Sequence, residues 1–232
     1  MAPYYETAKV SACSTCAFIP AVPKHVHNHD NLRSLTIPNS VLEQSFVDVE
    51  VTDDGVRTAS FLQASDDFVN MFDLLGTGVF SFVQTDLRSN IAGVRARHEQ
   101  KPNESVTLEQ LVVKEAEEGQ RHATACLVRL VRGLLFTCRA LENMQEDRNA
   151  ELHVCFRRSY DAILKHHHSF IVRSVVTVAI RAVPHRHVFY DRLTEGTSHE
   201  KFDVELVKWL AGLEAIVTRL RNFLEEGGYG RV

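Results

Sequence analysis

From Ser45 onward, apolar residues recur at spacings of three and four, which is the signature of amphipathic helices. In TASFLQASDDFVNMFDLL, the residues Phe61, Leu62, Phe68, Met71, Phe72 and Leu75 fall on one broad stripe. Gly76 and Gly78 interrupt that stripe, and the pattern predicts a second helix over about 79–98. KPNESV reads as a loop, and Thr107 with Gln110 forms a capping-box signature opening LEQLVVKEAEE. A long helix is predicted over about 121–144, with Leu127, Leu130, Val131, Leu134 and Cys138 facing a core, and another over about 149–165. The apolar run after His168 stops near Pro184, as proline dictates. A last helix over about 203–226 ends at GGYG. No alternating strand pattern competes and no internal repeat is evident, so the expected class is all-α.

Residues 1–44 carry Pro3, Pro20, Pro23 and Pro38 and no sustained periodicity, and read as a disordered extension to a domain spanning 45–232. Within this arm, CSTC and HVHNH match common zinc spacings poorly, so no metal is expected there. A net charge of −4 argues against a nucleic-acid partner. Five scattered cysteines fit a reducing compartment better than a disulfide framework. MAPYYETAKV lacks a secretory pattern, and FIVRSVVTVAI is short for a bilayer and holds Arg173. The expectation is a soluble intracellular protein.

Motifs for catalysis are missing. There is no G-x-S-x-G elbow and no P-loop, GTGVFS lacks a third glycine, and no paired E-x-x-H motifs occur. The sequence therefore predicts no enzyme. The run His166, His167, His168 suggests a metal at first. On a helix, neighbouring residues point about 100° apart, so at most one of the three can face a given pocket. More informative are polar residues beside apolar stripes. Asp86 and Asn90 share a face that continues to Gly93 and Arg97, and Arg129 flanks Cys126, Gly133 and Phe136. Each is costly inside a protein unless satisfied. An acceptor, an amide, a cation and a histidine together suit the polar end of an amphiphile.

FVNMFDLLGTGVFSFVQTDLRSNI, LVRLVRGLLFTC and LKHHHSFIV…AVPHRHVFYDRL together resemble the glycolipid transfer protein superfamily, and within it the fungal heterokaryon-incompatibility C-type branch. The resemblance covers about 45–232 and implies a two-layer all-α fold that carries one sphingolipid between membranes without catalysis or cofactor, as a cytoplasmic monomer peripheral on membranes. It maps the head-group and ceramide-amide site onto Asp86, Asn90 and His168, with Arg129 beside them at the family's tryptophan position; Arg97, one turn past Gly93, is a candidate extra cation, with a solvated arginine as the favoured alternative. The apolar sleeve would draw on Met71, Phe72, Leu75, Val79, Val83, Phe136, Leu164 and Val176. Phe170, with Ile171, takes the position of the family's membrane-inserting tryptophan, near the positive charge of RAVPHRH and Arg192, and Tyr229 and Val232 resemble its pocket-supporting C-terminal residues. Two departures stand out. Gly93 replaces the lysine of glycolipid binders, and Arg129 replaces the tryptophan on which a sugar stacks. Ceramide-1-phosphate binders carry an arginine at that position. Their second arginine is Ala125 here, and Asn90 stands where they place a lysine. Both head-group classes, ceramide-1-phosphate and glycosylceramide, stay open, with a lean toward phosphate. A sphingolipid sensor that binds without transport is the alternative.

Overall fold

The computed structural model describes residues 46–70, 72, 81–194 and 198–232. The N-terminal extension, its CSTC and HVHNH motifs, and Met71, Leu75 and Val79 lie outside the described residues. Eight α-helices are described: α1 (Thr58–Asn70), α2 (Ser81–Gln100), α3 (Leu108–Glu117), α4 (His122–Glu146), α5 (Leu152–Ile163), α6 (Phe170–Arg181), α7 (Arg186–Thr194) and α8 (His199–Glu226). The helical expectation holds, with three departures. A two-stranded antiparallel hairpin, β1 (Val51–Thr52) and β2 (Gly55–Val56), precedes α1 and is too short to leave an alternating pattern. The α7 helix was not anticipated, and α8 begins four residues before the expected Asp203.

The long helix α4 is the spine. Leu127, Leu130, Val131, Leu134, Cys138 and Leu141 are buried along it, packed against α2, α5 and α8. Thr107 caps α3 as its signature predicts, its hydroxyl accepting from Gln110 N at 3.2 Å. At the head of the domain Phe46 packs edge-on against Phe61, Phe68 and Trp209 with centroids 6.0–6.2 Å apart. The turn carrying Phe46 presses on α8 so closely that a Cβ on Gly212 would lie 2.9 Å from Val47 N. Glycine is therefore needed there for backbone approach rather than for its dihedral freedom.

Two carboxylates fix the junction where α3 turns into α4. Glu115 is 2% exposed, and its carboxylate accepts from Ala123 N (2.8 Å), Thr124 N (2.6 Å) and Thr124 Oγ1 (2.6 Å). It thereby satisfies two of the orphan backbone donors at the start of α4 and places a carboxylate at the positive end of that helix. Glu118 accepts a two-armed bond from Arg97 on α2, both arms 2.8 Å, and a further bond from Lys101 at 2.5 Å.

Glu115→Ala should lower the unfolding free energy by about 2–3 kcal/mol, measured by chemical denaturation, because buried donors lose a charged acceptor. The Glu118 carboxyl is depressed from 4.5 to about 2, chiefly by its bonds from Arg97 and then Lys101. A depressed carboxylate contributes stability that is complete above its unfolded pKa and is lost as pH falls through its folded one. The melting temperature of Glu118→Gln should therefore fall below wild type at pH 7, and the gap should close as pH drops from 4.5 toward 2.

Candidate functional site

Helix α2 runs antiparallel to α4. Leu87 lies against Gly133, Gly93 against Cys126, and Arg97 reaches Glu118 just before α4 begins. This register brings Asp86 into the field of Arg129, both on the exposed rim. Partial burial raises the pKa of Asp86, and Arg129 opposes that rise. Asn90 is 4% exposed and donates from Nδ2 to the Asp86 carbonyl at 2.8 Å and to its carboxylate at 3.3 Å. The amide donors of Asn90 are thus turned on Asp86, and Asn90 acts first by orienting that carboxylate.

The three histidines do not continue a helix, contrary to the geometry assumed from sequence. Lys165–His167 form a 3-10 turn, and His168 is extended (φ −104°, ψ 137°) between α5 and α6. His166 and His167 are exposed, whereas His168 is half-buried. Arg173 staples this bend by donating from Nε to the carbonyls of Lys165 (3.0 Å) and His168 (2.9 Å), and Ser169 caps α6. His168 Nδ1 sits 3.2 Å from Tyr160 Oη, and that phenol is buried against Phe136. Burial, then His167, Arg132 and Arg173, lower the His168 pKa, which favours a neutral ring. In the tautomer whose Nδ1 accepts from the phenol, the ring proton is on Nε2, and that atom is then a hydrogen-bond donor.

Arg132 links the two halves. It lies one turn beyond Arg129 on α4 and is within electrostatic reach of both Arg129 and His168. Its guanidinium donates to the Arg231 carbonyl, while its Nε is buried without a partner. Burial and then Arg129 push its pKa down, so its positive charge is uncomfortable as it stands. Sequence reasoning passed over Arg132 and Tyr160. The three-residue step from Arg129 was a readable signal, whereas the reach of Tyr160 to His168 was not.

Arg97 is not the further cation expected at this site. It is 6% exposed, and both its terminal amines are bonded to Glu118 while its Nε is buried without a partner, because its position on α2 carries it past the rim to the α3–α4 junction. Of the described sleeve residues, Phe72, Phe136 and Val176 are buried, and Val83 and Leu164 pack partly buried against the same core. Phe136 touches both Phe156 and Tyr160, so apolar packing runs directly beneath His168. The N-terminal half of α6 is open, with Phe170 83% and Ile171 71% exposed, and Val178 continues the face at 64%. The C-terminal tail lies on α4, with Tyr229 stacked on Phe223 and Gly230 against Val128. Among the described residues, no group of three or more His, Cys, Asp or Glu side chains is placed to hold a metal ion. No helix among them is long and apolar enough to cross a membrane.

The family model for glycolipid transfer proteins matches residues 56–195. A glycolipid transfer protein from Aureobasidium melanogenum is 37% identical over 183 residues, covering 79% of this chain and 90% of that protein. The crystal structure of the fungal glycolipid transfer protein HET-C2 superposes with a TM-score of 0.76 at 39% identity, covering 80% of this chain and 95% of that one. Human ceramide-1-phosphate transfer protein, solved with 12:0 ceramide-1-phosphate, shares the fold at a TM-score of 0.74 and 21% identity, over 82% of this chain and 96% of that one. The chain belongs to the glycolipid transfer protein family, a family of lipid carriers.

Proposed function

We propose that the protein carries single sphingolipids between membranes, gripping the ceramide amide at Asp86 and His168 and accepting a phosphorylated head group beside Arg129 and Arg132. The observations that support this reading are a carboxylate held by the buried Asn90 amide on α2 and a histidine backed by a buried phenol at the α5–α6 bend, linked electrostatically through Arg129 and Arg132 on α4. A secondary amide offers one N–H and one carbonyl. Asp86 supplies the acceptor for the first and His168 Nε2 the donor for the second, so the amide leaves water fully satisfied.

The head-group preference rests on charge. A half-buried guanidinium with an unpartnered Nε beside a second guanidinium is costly, and a phosphate would relieve both. Arg129 also lacks the aromatic face on which a sugar stacks. The chains need a dry sleeve, since on the order of 30 methylenes at about 0.8 kcal/mol each cannot cross water bare. Phe72, Val83, Phe136, Leu164 and Val176 line the candidate sleeve and must part to admit them. Phe170 and Ile171 form the membrane-dipping edge, with Lys165, Arg173 and Arg181 exposed around them to meet anionic lipid. Transfer takes place from the cytosolic side by transient contact of a monomer.

Competitive vesicle-to-vesicle transfer of ceramide-1-phosphate against galactosylceramide tests the head-group assignment. Wild type should favour the phosphate lipid, and Arg129→Trp should shift preference toward the glycolipid. Asp86→Val and His168→Ala should each cut transfer by at least about tenfold, equivalent to ~1.4 kcal/mol. His166→Ala should be near neutral, and unchanged transfer in both site variants would refute the pocket. Phe170→Ala/Ile171→Ala should weaken vesicle binding in a flotation assay while a lipid already loaded stays bound, which separates docking from pocket affinity.

A further inference from the structure

Of the three consecutive histidines only His168 turns toward the core, and His166 and His167 stay exposed on the 3-10 turn before it. Such a turn holds about three residues per revolution, so adjacent side chains point about 120° apart. His166 and His167 therefore stand on different sides of the turn. Neither imidazole makes a hydrogen bond among the described residues. The bend holds both rings at the edge that carries the exposed apolar side chains. They precede Phe170 by four and three residues, and Arg173 Nε ties the carbonyls of Lys165 and His168 to α6 at 3.0 and 2.9 Å. The turn cannot swing away from α6 without breaking both bonds.

Permanent charge on this bend is small. Lys165 is paired with Asp161 of α5 at 2.9 Å, which leaves Arg173 as the uncompensated cation between residues 165 and 173. Histidine alone among side chains ordinarily changes its charge between pH 5 and 8. The setting of His167 makes that change depend on what lies opposite. Burial, then Arg132 of α4, Arg231 of the tail and His166, lower its pKa. An anionic surface brought against the bend offsets the repulsion from those three neighbours and lets the ring charge. His168 adds nothing to this, since burial and then His167, Arg132 and Arg173 favour its neutral form.

We infer that His166 and His167 form a proton-dependent contact for anionic membrane, so that the bend grips a negatively charged bilayer in acid and loosens its hold as the pH rises. This rests on the reading of Phe170 and Ile171 as the membrane-dipping edge. The direction follows from the chemistry of the ring, which is cationic below its pKa and neutral above it. Each added cation near an anionic surface strengthens binding about fivefold, so the two rings together supply up to about 25-fold. Linkage requires the converse: arrival at an anionic surface draws protons onto the bend.

The test is flotation of the full chain with phosphatidylcholine vesicles that contain phosphatidylglycerol, whose charge is constant over this range, and with phosphatidylcholine alone. Wild type should bind the anionic vesicles about tenfold more tightly near pH 5 than near pH 8, with no such gain on the neutral ones. His166→Gln/His167→Gln should match wild type at the upper pH and lose most of the gain. His166→Arg/His167→Arg should bind at the upper pH as wild type binds at the lower. A gain that survives the glutamine pair, an arginine pair no tighter than wild type at the upper pH, or an equal gain on neutral vesicles overturns the inference and leaves the docking edge intact. If wild type binds neither vesicle at either pH, or Phe170→Ala/Ile171→Ala binds as wild type does at both, the docking edge and this inference fall together.

Discussion

The antiparallel contact of α2 with α4 is the constraint on which the site depends. Asp86 and Arg129 come from residues more than forty positions apart, and only the register of these two helices sets their spacing. That register is pinned by close approach at Gly93 and Gly133 and by the two-armed bond from Arg97 to Glu118. Interiors pack densely enough that a shift of one residue would collide at both glycines. Charged groups therefore do the fastening at the rim, and apolar packing along α4 supplies the bulk of the stabilisation.

The helical class, the order of elements and most boundaries were legible because each helix buries one stripe of a spacing that the chain displays openly. The hairpin escaped notice because two-residue strands leave no period to read. So did α7, in which Phe189 and Tyr190 are buried side by side in a nine-residue helix with no repeating stripe. In the candidate site, Asp86, Asn90 and Arg129 stood out as polar residues beside apolar stripes and His168 through family likeness, whereas the contacts of each needed coordinates. Asn90 turned out to hold Asp86, and Arg97 to serve the α3–α4 junction. Both facts depend on partners distant in the chain, which local spacing does not encode. The same holds for Arg132, whose neighbours come from α5–α6 and from the C-terminal tail.

The rim differs in kind from one end to the other. Around Arg129 and Arg132 positive charge accumulates, and the half-buried position of Arg132 makes that accumulation costly. Around His168 the surroundings favour a neutral ring backed by a buried phenol. On the proposed reading, these two adjoining environments would favour negative charge at one end and an uncharged amide at the other, a combination that a phosphorylated ceramide offers and a free fatty acid or simple phosphate ester does not.

The bend between α5 and α6 has a consequence of its own. One stapled turn carries His168 on its inner side and leads directly into the exposed Phe170 and Ile171 on its outer side. Under the proposed function, a displacement of α6 by a bilayer would act on the histidine through this turn, and a pull on the histidine by cargo would act on α6. Linkage makes such coupling reciprocal: the factor by which membrane contact weakens the hold on cargo is the factor by which cargo weakens the hold on the membrane. A carrier built on this turn would release the bilayer because it is loaded, and surrender its load because it has landed.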